Sequence, residues 1–172
     1  MKEVQGFQFL IELEDYEPKI WRRYTVNSHD SLAVFVCDIL ALFKAKGYHL
    51  VQINGSDASY AFDDEYDGED EPPKNILEYQ VDDVFKNIGD TAALNYDFGD
   101  DWRFKITLEQ ITERILTPIL LDGEGYGIVE DCGGVSMLAE KLKNKSRKFD
   151  IEKLREMRER ESRKLLRAYE RG

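Results

Sequence analysis

The side chains best suited to chemistry are five carboxylates that fall in two short segments rich in glycine and aspartate. Residues 96–102 carry three of them and residues 122–134 carry the other two: Asp97, Asp100, Asp101, Glu130 and Asp131. If the second segment folds over the first, the carboxylate oxygens form an oxygen-rich site of the kind that Mg²⁺ or Mn²⁺ prefers. The alternative is that the aspartates accept hydrogen bonds from backbone amides in turns, while Glu130 and Asp131 cap the helix that follows. Turns are the commoner use of aspartate, so the sequence favours this second interpretation.

Nucleophilic catalysis has weak support in the sequence. The two histidines, His29 and His49, belong to different predicted elements, and neither has an obvious serine, cysteine or metal partner at short range. A Cys132 thiol with His49 as its base is a chemical option, but no local signature accompanies it. Asp97-Phe98-Gly99 matches the magnesium-binding tripeptide of protein kinases, but the chain lacks the glycine-rich and catalytic loops that a kinase requires. No complete catalytic constellation emerges.

The most acidic run, residues 63–73, ends in two prolines. Like charges at this density repel one another and proline cannot donate to a strand ladder, so this run is predicted to be a mobile loop. Its spacing does not fit the EF-hand calcium loop, which also needs two flanking helices. We therefore expect no cofactor apart from, at most, a weakly bound divalent cation.

The charge of the chain changes sign near residue 146. Residues 147–171 contain ten Lys or Arg and six Asp or Glu, about +4, whereas the remainder contains fourteen and twenty-nine, about −15. We therefore predict one domain over residues 1–146 and a charged C-terminal helix over residues 147–172. An acidic body repels phosphate backbones, so direct binding of nucleic acid by the body is not expected.

Cellular location is constrained by what the sequence lacks. The two cysteines, Cys37 and Cys132, are too few for a disulfide scaffold or a zinc site. The N-terminus is too polar for a signal peptide, and no apolar run approaches the length of a membrane span. We expect a cytoplasmic, soluble protein with reduced thiols and no membrane partner.

Alternation of apolar and polar side chains predicts the strands that carry these groups. Residues 102–109 alternate strictly, residues 94–98 alternate in the same way, and Gly99-Asp100-Asp101 between them has turn chemistry. Residues 92–110 are therefore predicted to form a β-hairpin, with Trp102 facing the core. The three aspartates of this segment then lie near the hairpin tip.

An earlier hairpin is predicted from residues 7–13 and 20–26, which are rich in β-branched and aromatic side chains. Trp21, Arg22 and Arg23 lie in its second strand. We interpret the two arginines as part of a solvated strand face, and contact with an anion or a partner as the alternative.

A clear helical period follows, and residues 31–46 are predicted to form a helix. Strands at 48–53 and 59–62 complete the order ββαββ. This order predicts an α+β fold with a β-grasp-like mixed sheet and one main helix across a face. Extra strands and an added C-terminal helix beginning near residue 149 complete the prediction.

Several of these motifs occur together in a known family. They are Phe9-Leu10-Ile11-Glu12-Leu13, Pro18-Lys19-Ile20-Trp21-Arg22-Arg23, Tyr96-Asp97-Phe98-Gly99-Asp100-Asp101-Trp102, Gly123-Glu124-Gly125 and Glu130-Asp131-Cys132-Gly133-Gly134. In this combination residues 5–143 resemble the plasmid pRiA4b ORF-3-like family. The resemblance implies a protein carried by plasmids or mobile elements and assigns no biochemical activity.

The chain departs from the family pattern at two places. The family tends to have a second histidine around the third strand, where this chain has only His49. The family typically has Cys-Pro-Pro before its Glu-Asp-Cys-Gly-Gly, whereas this chain has Gly127-Ile128-Val129. The change removes a cysteine that could pair with Cys132 and weakens any shared thiol or metal role. The C-terminal helix looks like an addition to the family's domain.

Three functional hypotheses follow. The first is a non-enzymatic interaction module that binds a protein partner, with possible self-association through the C-terminal helix. The second is a metal-dependent hydrolase or nuclease that uses the five carboxylates, and the third is an acidic mimic of nucleic acid. Candidate binding residues for these hypotheses are Trp21, Arg22, Arg23, Asp97, Asp100, Asp101, Trp102, Glu130 and Asp131.

Overall fold

The computed structural model describes residues 2–62, 68 and 71–171, so most of the predicted mobile acidic loop lies outside the described residues. Eight strands in the described ranges form one mixed sheet in the order β5-β4-β3-β6-β7-β1-β2-β8. Neighbouring strands are antiparallel except β4 and β5, which are parallel. The strands are β1 (Gln5–Leu13), β2 (Trp21–Asn27), β3 (Val51–Asn54), β4 (Ser59–Ala61), β5 (Lys74–Asn75), β6 (Thr91–Tyr96), β7 (Trp102–Glu113) and β8 (Ile119–Glu124).

The predicted α+β class and the order ββαββ are confirmed. The hairpin predicted at residues 92–110 is β6 and β7, in which Tyr96 pairs with Trp102 beside the turn. This hairpin lies at the centre of the sheet, between β3 on one side and β1 on the other. The hairpin, formed by the second half of the chain, is therefore flanked by two strands from the first half.

Helix α1 (Leu32–Leu42) is buried on every side except at Val34. Its N-cap is Ser31, whose hydroxyl accepts a hydrogen bond from the Val34 amide at 3.3 Å. The ring of Phe35 lies 4.8 Å from that of Phe9 on β1, so the helix packs on the middle of the sheet. A helix that is apolar all round needs a second layer on its outer side.

Helix α4 (Ile151–Arg171) supplies that second layer. Leu154 and Leu165 are buried, and Arg158 makes an ion pair at 3.1 Å with Asp38 on α1. The Tyr24 hydroxyl donates to the other oxygen of Asp38 at 2.6 Å. The apolar seam that the sequence shows in this helix therefore packs along the body.

The remaining helices are short: α2 (Val81–Val84) follows a 3-10 turn, and α3 (Val135–Lys141) follows the glycine-rich segment. Within the described ranges, no helix combines the length and the apolar character needed to cross a membrane.

Candidate metal centre

The tip of the β6–β7 hairpin is shaped by Asp97. Asp97 has a φ of 59°, and its Oδ1 accepts hydrogen bonds from the amides of Gly99 at 3.1 Å and Asp100 at 3.2 Å. This is the turn role expected for aspartate, because its short side chain can bond the backbone that follows it. Only one carboxylate oxygen is used in the turn, so Oδ2 remains available to the site.

The glycine-rich segment crosses the hairpin tip. The Gly133 amide donates to Asp100 Oδ2 at 3.1 Å, and Gly134 has a φ of 85° and lies directly against the Asp100 carbonyl. A side chain at Gly134 would collide with that carbonyl, so glycine is required for the close approach. The segment thus brings Asp131 to the hairpin tip. The sequence predicted a metal site only if the glycine-rich segment folded over the hairpin in this way.

His49 joins these acids, and the sequence did not indicate it. His49 Nε2 lies 2.7 Å from Asp131 Oδ1 and 3.4 Å from Asp97 Oδ2. One ligand atom from each of the three residues lies within 4.8 Å of the others. No serine, cysteine or metal partner for either histidine was obvious in the sequence; in the structure His49 faces two carboxylates, and His29 Nε2 lies 3.4 Å from Asp82.

The local charges favour a cation at this position. Burial of the imidazole lowers the pKa of His49, but the hydrogen bond with Asp131 and the charges of Asp97, Asp131 and Glu130 outweigh burial and raise it. The Asp97 side chain is only 9% exposed, whereas that of Asp131 is 64% exposed. The site is thus closed on the Asp97 side and open to solvent on the Asp131 side.

Glu130 precedes Asp131 in the chain and is linked to the cluster through Tyr96, whose ring lies 5.9 Å from that of His49. Its Oε2 accepts hydrogen bonds from the Tyr96 hydroxyl at 2.7 Å and the Lys46 amide at 3.2 Å. Burial and the neighbouring Glu130 raise the pKa of Tyr96, so the phenol stays a donor. Glu130 Oε1 is buried and has no hydrogen-bond partner among the described residues.

Neither Glu130 nor Asp131 caps helix α3, so that part of the turn-and-cap interpretation is wrong. The N-cap of α3 is Gly134, and among residues 2–62, 68 and 71–171 no side chain bonds the first amides of the helix. The other candidates lie beside the cluster: Asp101 pairs with Arg103 at 2.9 Å, and Trp102 is fully buried on the core side of β7.

The interpretation of Arg22 as part of a solvated strand face is wrong. Its guanidinium is fully buried between the rings of Phe43 and Phe149, 4.7 and 5.0 Å from their centroids. It donates to four carbonyls, those of Trp21, Leu42, Glu124 and Tyr126. Burial lowers the pKa of Arg22 from its ordinary value to about 9. Arg22 therefore ties the start of the glycine-rich segment to the end of α1.

Arg23 fits the solvated interpretation. It forms a two-pronged ion pair with Glu109 at 2.9 and 3.0 Å on the face of the sheet opposite α1, and its side chain is 33% exposed. Its guanidinium also lies over the ring of the partly exposed Trp21, 5.2 Å from the centroid. Trp21 and Arg23 remain candidate partner contacts.

Cys132 shows no sign of activation as a nucleophile. Burial raises the pKa of its thiol, and the sulfur contacts the Gly134 carbonyl at 3.7 Å. A protonated thiol is a poor nucleophile.

Comparison with known families gives a match over nearly the whole chain. Residues 5–168 match the family described as plasmid pRiA4b ORF-3-like protein. The chain belongs to that family. The match includes most of α4, which the sequence led us to regard as an addition. The plasmid pRiA4b ORF-3-like family therefore spans nearly the whole of this chain.

A solved structure has the same fold. The crystal structure of a protein of unknown function, MM3350 from Methanosarcina mazei Go1, is similar with a TM-score of 0.74 and 22% identity, over 89% of this chain and 97% of that one. At this identity the likeness concerns the fold. A search of curated proteins finds no match.

Proposed function

We propose that this chain binds one divalent transition-metal ion through His49, Asp97 and Asp131 and uses it to activate water, as a metal-dependent hydrolase. The observation that carries the proposal is the convergence of three ligand atoms, from three separate segments, within 4.8 Å. Catalytic zinc sites commonly use three protein ligands and leave a fourth position for water or substrate. The exposed Asp131 side provides access to such a position.

The donor set favours zinc or manganese. Imidazole suits zinc, whereas carboxylates also suit manganese and magnesium. Two ligand atoms, each about 2.1 Å from a tetrahedral ion, lie about 3.4 Å apart. The distance between His49 Nε2 and Asp97 Oδ2 is 3.4 Å. The 2.7 Å contact between His49 and Asp131 must open by about 0.7 Å to meet that geometry, which the exposed Asp131 side chain permits.

We assign to Glu130 the role of general base. An ion held by His49, Asp97 and Asp131 would lower the pKa of its water to about 7, and the carboxylate of Glu130, next to Asp131 in the chain, would take the proton. One oxygen of Glu130 is held by Tyr96 and Lys46, and the other is buried without a partner among the described residues. The surrounding acids and the acidic body favour a neutral ester or amide as substrate over a phosphodiester.

The two histidines allow a matched test of the metal site. The melting temperature of wild type is expected to rise with Zn²⁺ or Mn²⁺ concentration and to saturate, because the folded state binds the ion. The rise should persist in His29→Ala, because in the described part of the chain His29 faces a single carboxylate, that of Asp82, and it should vanish in His49→Ala. A wild type that shows no saturable rise, or a rise that survives in His49→Ala, contradicts the proposal.

The reaction is tested on the metal-loaded protein with p-nitrophenyl acetate and bis(p-nitrophenyl) phosphate. Hydrolysis of the ester that depends on added Zn²⁺ or Mn²⁺ and is lost in Glu130→Gln supports the hydrolase. Metal binding without hydrolysis of either probe leaves a metal-binding protein and contradicts the enzymatic part.

A second candidate function, binding of a protein partner, is favoured by exposed apolar side chains next to the ligands. Tyr48 and Leu50 flank His49 and are 71% and 52% exposed, and Phe98 follows Asp97 and is 52% exposed. Grouped exposed apolar side chains mark contact surfaces. The test is a pull-down with wild type, Phe98→Ser and the control Ile88→Ser, whose side chain is 63% exposed at the other end of β6. A partner protein that binds wild type and Ile88→Ser but not Phe98→Ser would support this function. Equal retention by all three would contradict it.

A further inference from the structure

The last turn of helix α4 reaches the segment that carries His49. The Tyr169 hydroxyl donates a hydrogen bond to the His49 backbone carbonyl at 2.6 Å. The two residues are 120 positions apart in the sequence. A helix that is otherwise part of the hydrophobic packing thus holds the backbone of a proposed metal ligand directly.

The segment between α1 and β3, residues 45–50, has no regular secondary structure. It is held from below by the Tyr96 hydroxyl, which accepts from the Tyr48 amide at 3.1 Å, and from the side by Tyr169. Leu165, one turn before Tyr169, packs so closely on Gly47 that a side chain at Gly47 would lie 2.5 Å from it. Helix α4 therefore fixes this segment at two points.

Tyr169 is itself held firmly. Its ring stacks on that of Phe62, with centroids 4.8 Å apart and planes inclined by 8°. Burial raises the pKa of Tyr169, so the hydroxyl remains a donor at neutral pH. A donor with a fixed ring and a fixed charge state is suited to orient its acceptor.

We propose that Tyr169 is a positioning residue for the metal site: its hydrogen bond holds the His49 backbone where the imidazole can share one ion with Asp97 and Asp131. The inference depends on the proposed metal binding. Ligands must be held within about 0.5 Å of their working geometry, and a ligand on an irregular segment needs such support. Helix α4 then contributes to the site as well as to stability.

The test is the substitution Tyr169→Phe, which removes the hydroxyl and keeps the ring that stacks on Phe62. Zn²⁺ affinity, measured by isothermal titration calorimetry, is expected to weaken about tenfold, as is typical when a group that orients a metal ligand is lost. The matched control is Tyr24→Phe, which also removes a buried hydroxyl bond, to Asp38, but leaves residues 45–50 unchanged. Its Zn²⁺ affinity should equal that of wild type.

A spectroscopic measurement separates positioning from a general loss of stability. The visible absorption bands of the Co²⁺-loaded protein report ligand geometry, and we expect them to change in Tyr169→Phe but not in Tyr24→Phe. If wild type binds metal and Tyr169→Phe matches it in affinity and spectrum, the positioning role is refuted while the metal site stands. If wild type shows no saturable binding, both the metal site and the positioning role of Tyr169 are refuted.

Discussion

Replacement of Arg22 by methionine should destabilise the fold markedly, although an arginine on a strand would ordinarily be replaceable. The guanidinium makes four hydrogen bonds to backbone carbonyls and lies between two aromatic rings. Methionine keeps much of the apolar volume of the side chain but has no donor. The carbonyls of Leu42, Glu124 and Tyr126 would then lose a charged partner.

The expected magnitude is the difference between two opposing terms. Hydrogen bonds to a charged group contribute about 1.5 to 3 kcal/mol each, so four of them contribute roughly 6 to 12 kcal/mol. Against this, burying an ion costs several kcal/mol, which methionine does not incur. We expect the hydrogen bonds to prevail by about 3 kcal/mol, which corresponds to a fall in melting temperature of about 6 to 12 °C for a chain of this length.

Urea unfolding followed by tryptophan fluorescence measures this difference. Arg23→Met is the matched control, because its ion pair with Glu109 is partly exposed and should contribute about 1 kcal/mol or less. Arg22→Lys should be no more stable than Arg22→Met, since an ammonium has at most three donors at one point and cannot reproduce the planar fork. An Arg22→Lys variant as stable as wild type would refute the reasoning, because it would show that charge alone suffices.

Three further changes have defined outcomes. Trp102→Ala should cost about 3–5 kcal/mol in urea unfolding, because the indole is fully buried, and an unchanged midpoint would contradict that. Removal of residues 147–172 should lower the thermal midpoint of the body by circular dichroism, because it exposes the apolar outer side of α1 and removes the Arg158 partner of Asp38; an unchanged transition would contradict this. The hydrogen bond from Arg23 lowers the pKa of Glu109 below its usual 4.5, so its stabilising contribution is present above that value and is lost as the pH falls through the lower folded-state pKa. The stability difference between wild type and Glu109→Gln should therefore shrink on acidification below about pH 4.5, and a constant difference would contradict the assignment.

The strands, the helices and two of the three proposed ligands, Asp97 and Asp131, could be identified from the sequence because they lie in local patterns. Strict alternation on both sides of Gly99-Asp100-Asp101 determined the hairpin and placed Trp102 on its buried face. The aspartates at the tip followed from the turn. Local spacing, however, cannot show that residues 49, 97 and 131 meet, because their contact depends on how the glycine-rich segment and the segment after α1 are packed.

Arg22 carried a signal that was overlooked. It has the same parity along β2 as Tyr24 and Val26, both buried, so the period of two that located the strand also placed Arg22 on the core face. Arg22 was nevertheless interpreted as solvent-exposed, because arginine is rarely fully buried. The four carbonyls that accept its bonds come from irregular or terminal backbone, which the sequence pattern does not reveal.

The role of α4 was open for a similar reason. A thin apolar seam in a charged helix is compatible with packing on the body or with binding a partner. Which of the two occurs depends on the outer side of α1, where the buried Asp38 forms an ion pair with Arg158.

The metal site is tested most directly by a crystal structure of the chain grown with Zn²⁺, in which anomalous scattering locates the ion. We predict one strong anomalous peak about 2.0 to 2.2 Å from His49 Nε2 and from a carboxylate oxygen of both Asp97 and Asp131, accompanied by a lengthened distance between His49 and Asp131. A map with no peak at this position, or with peaks beside other acids of the chain only, would contradict the proposed function.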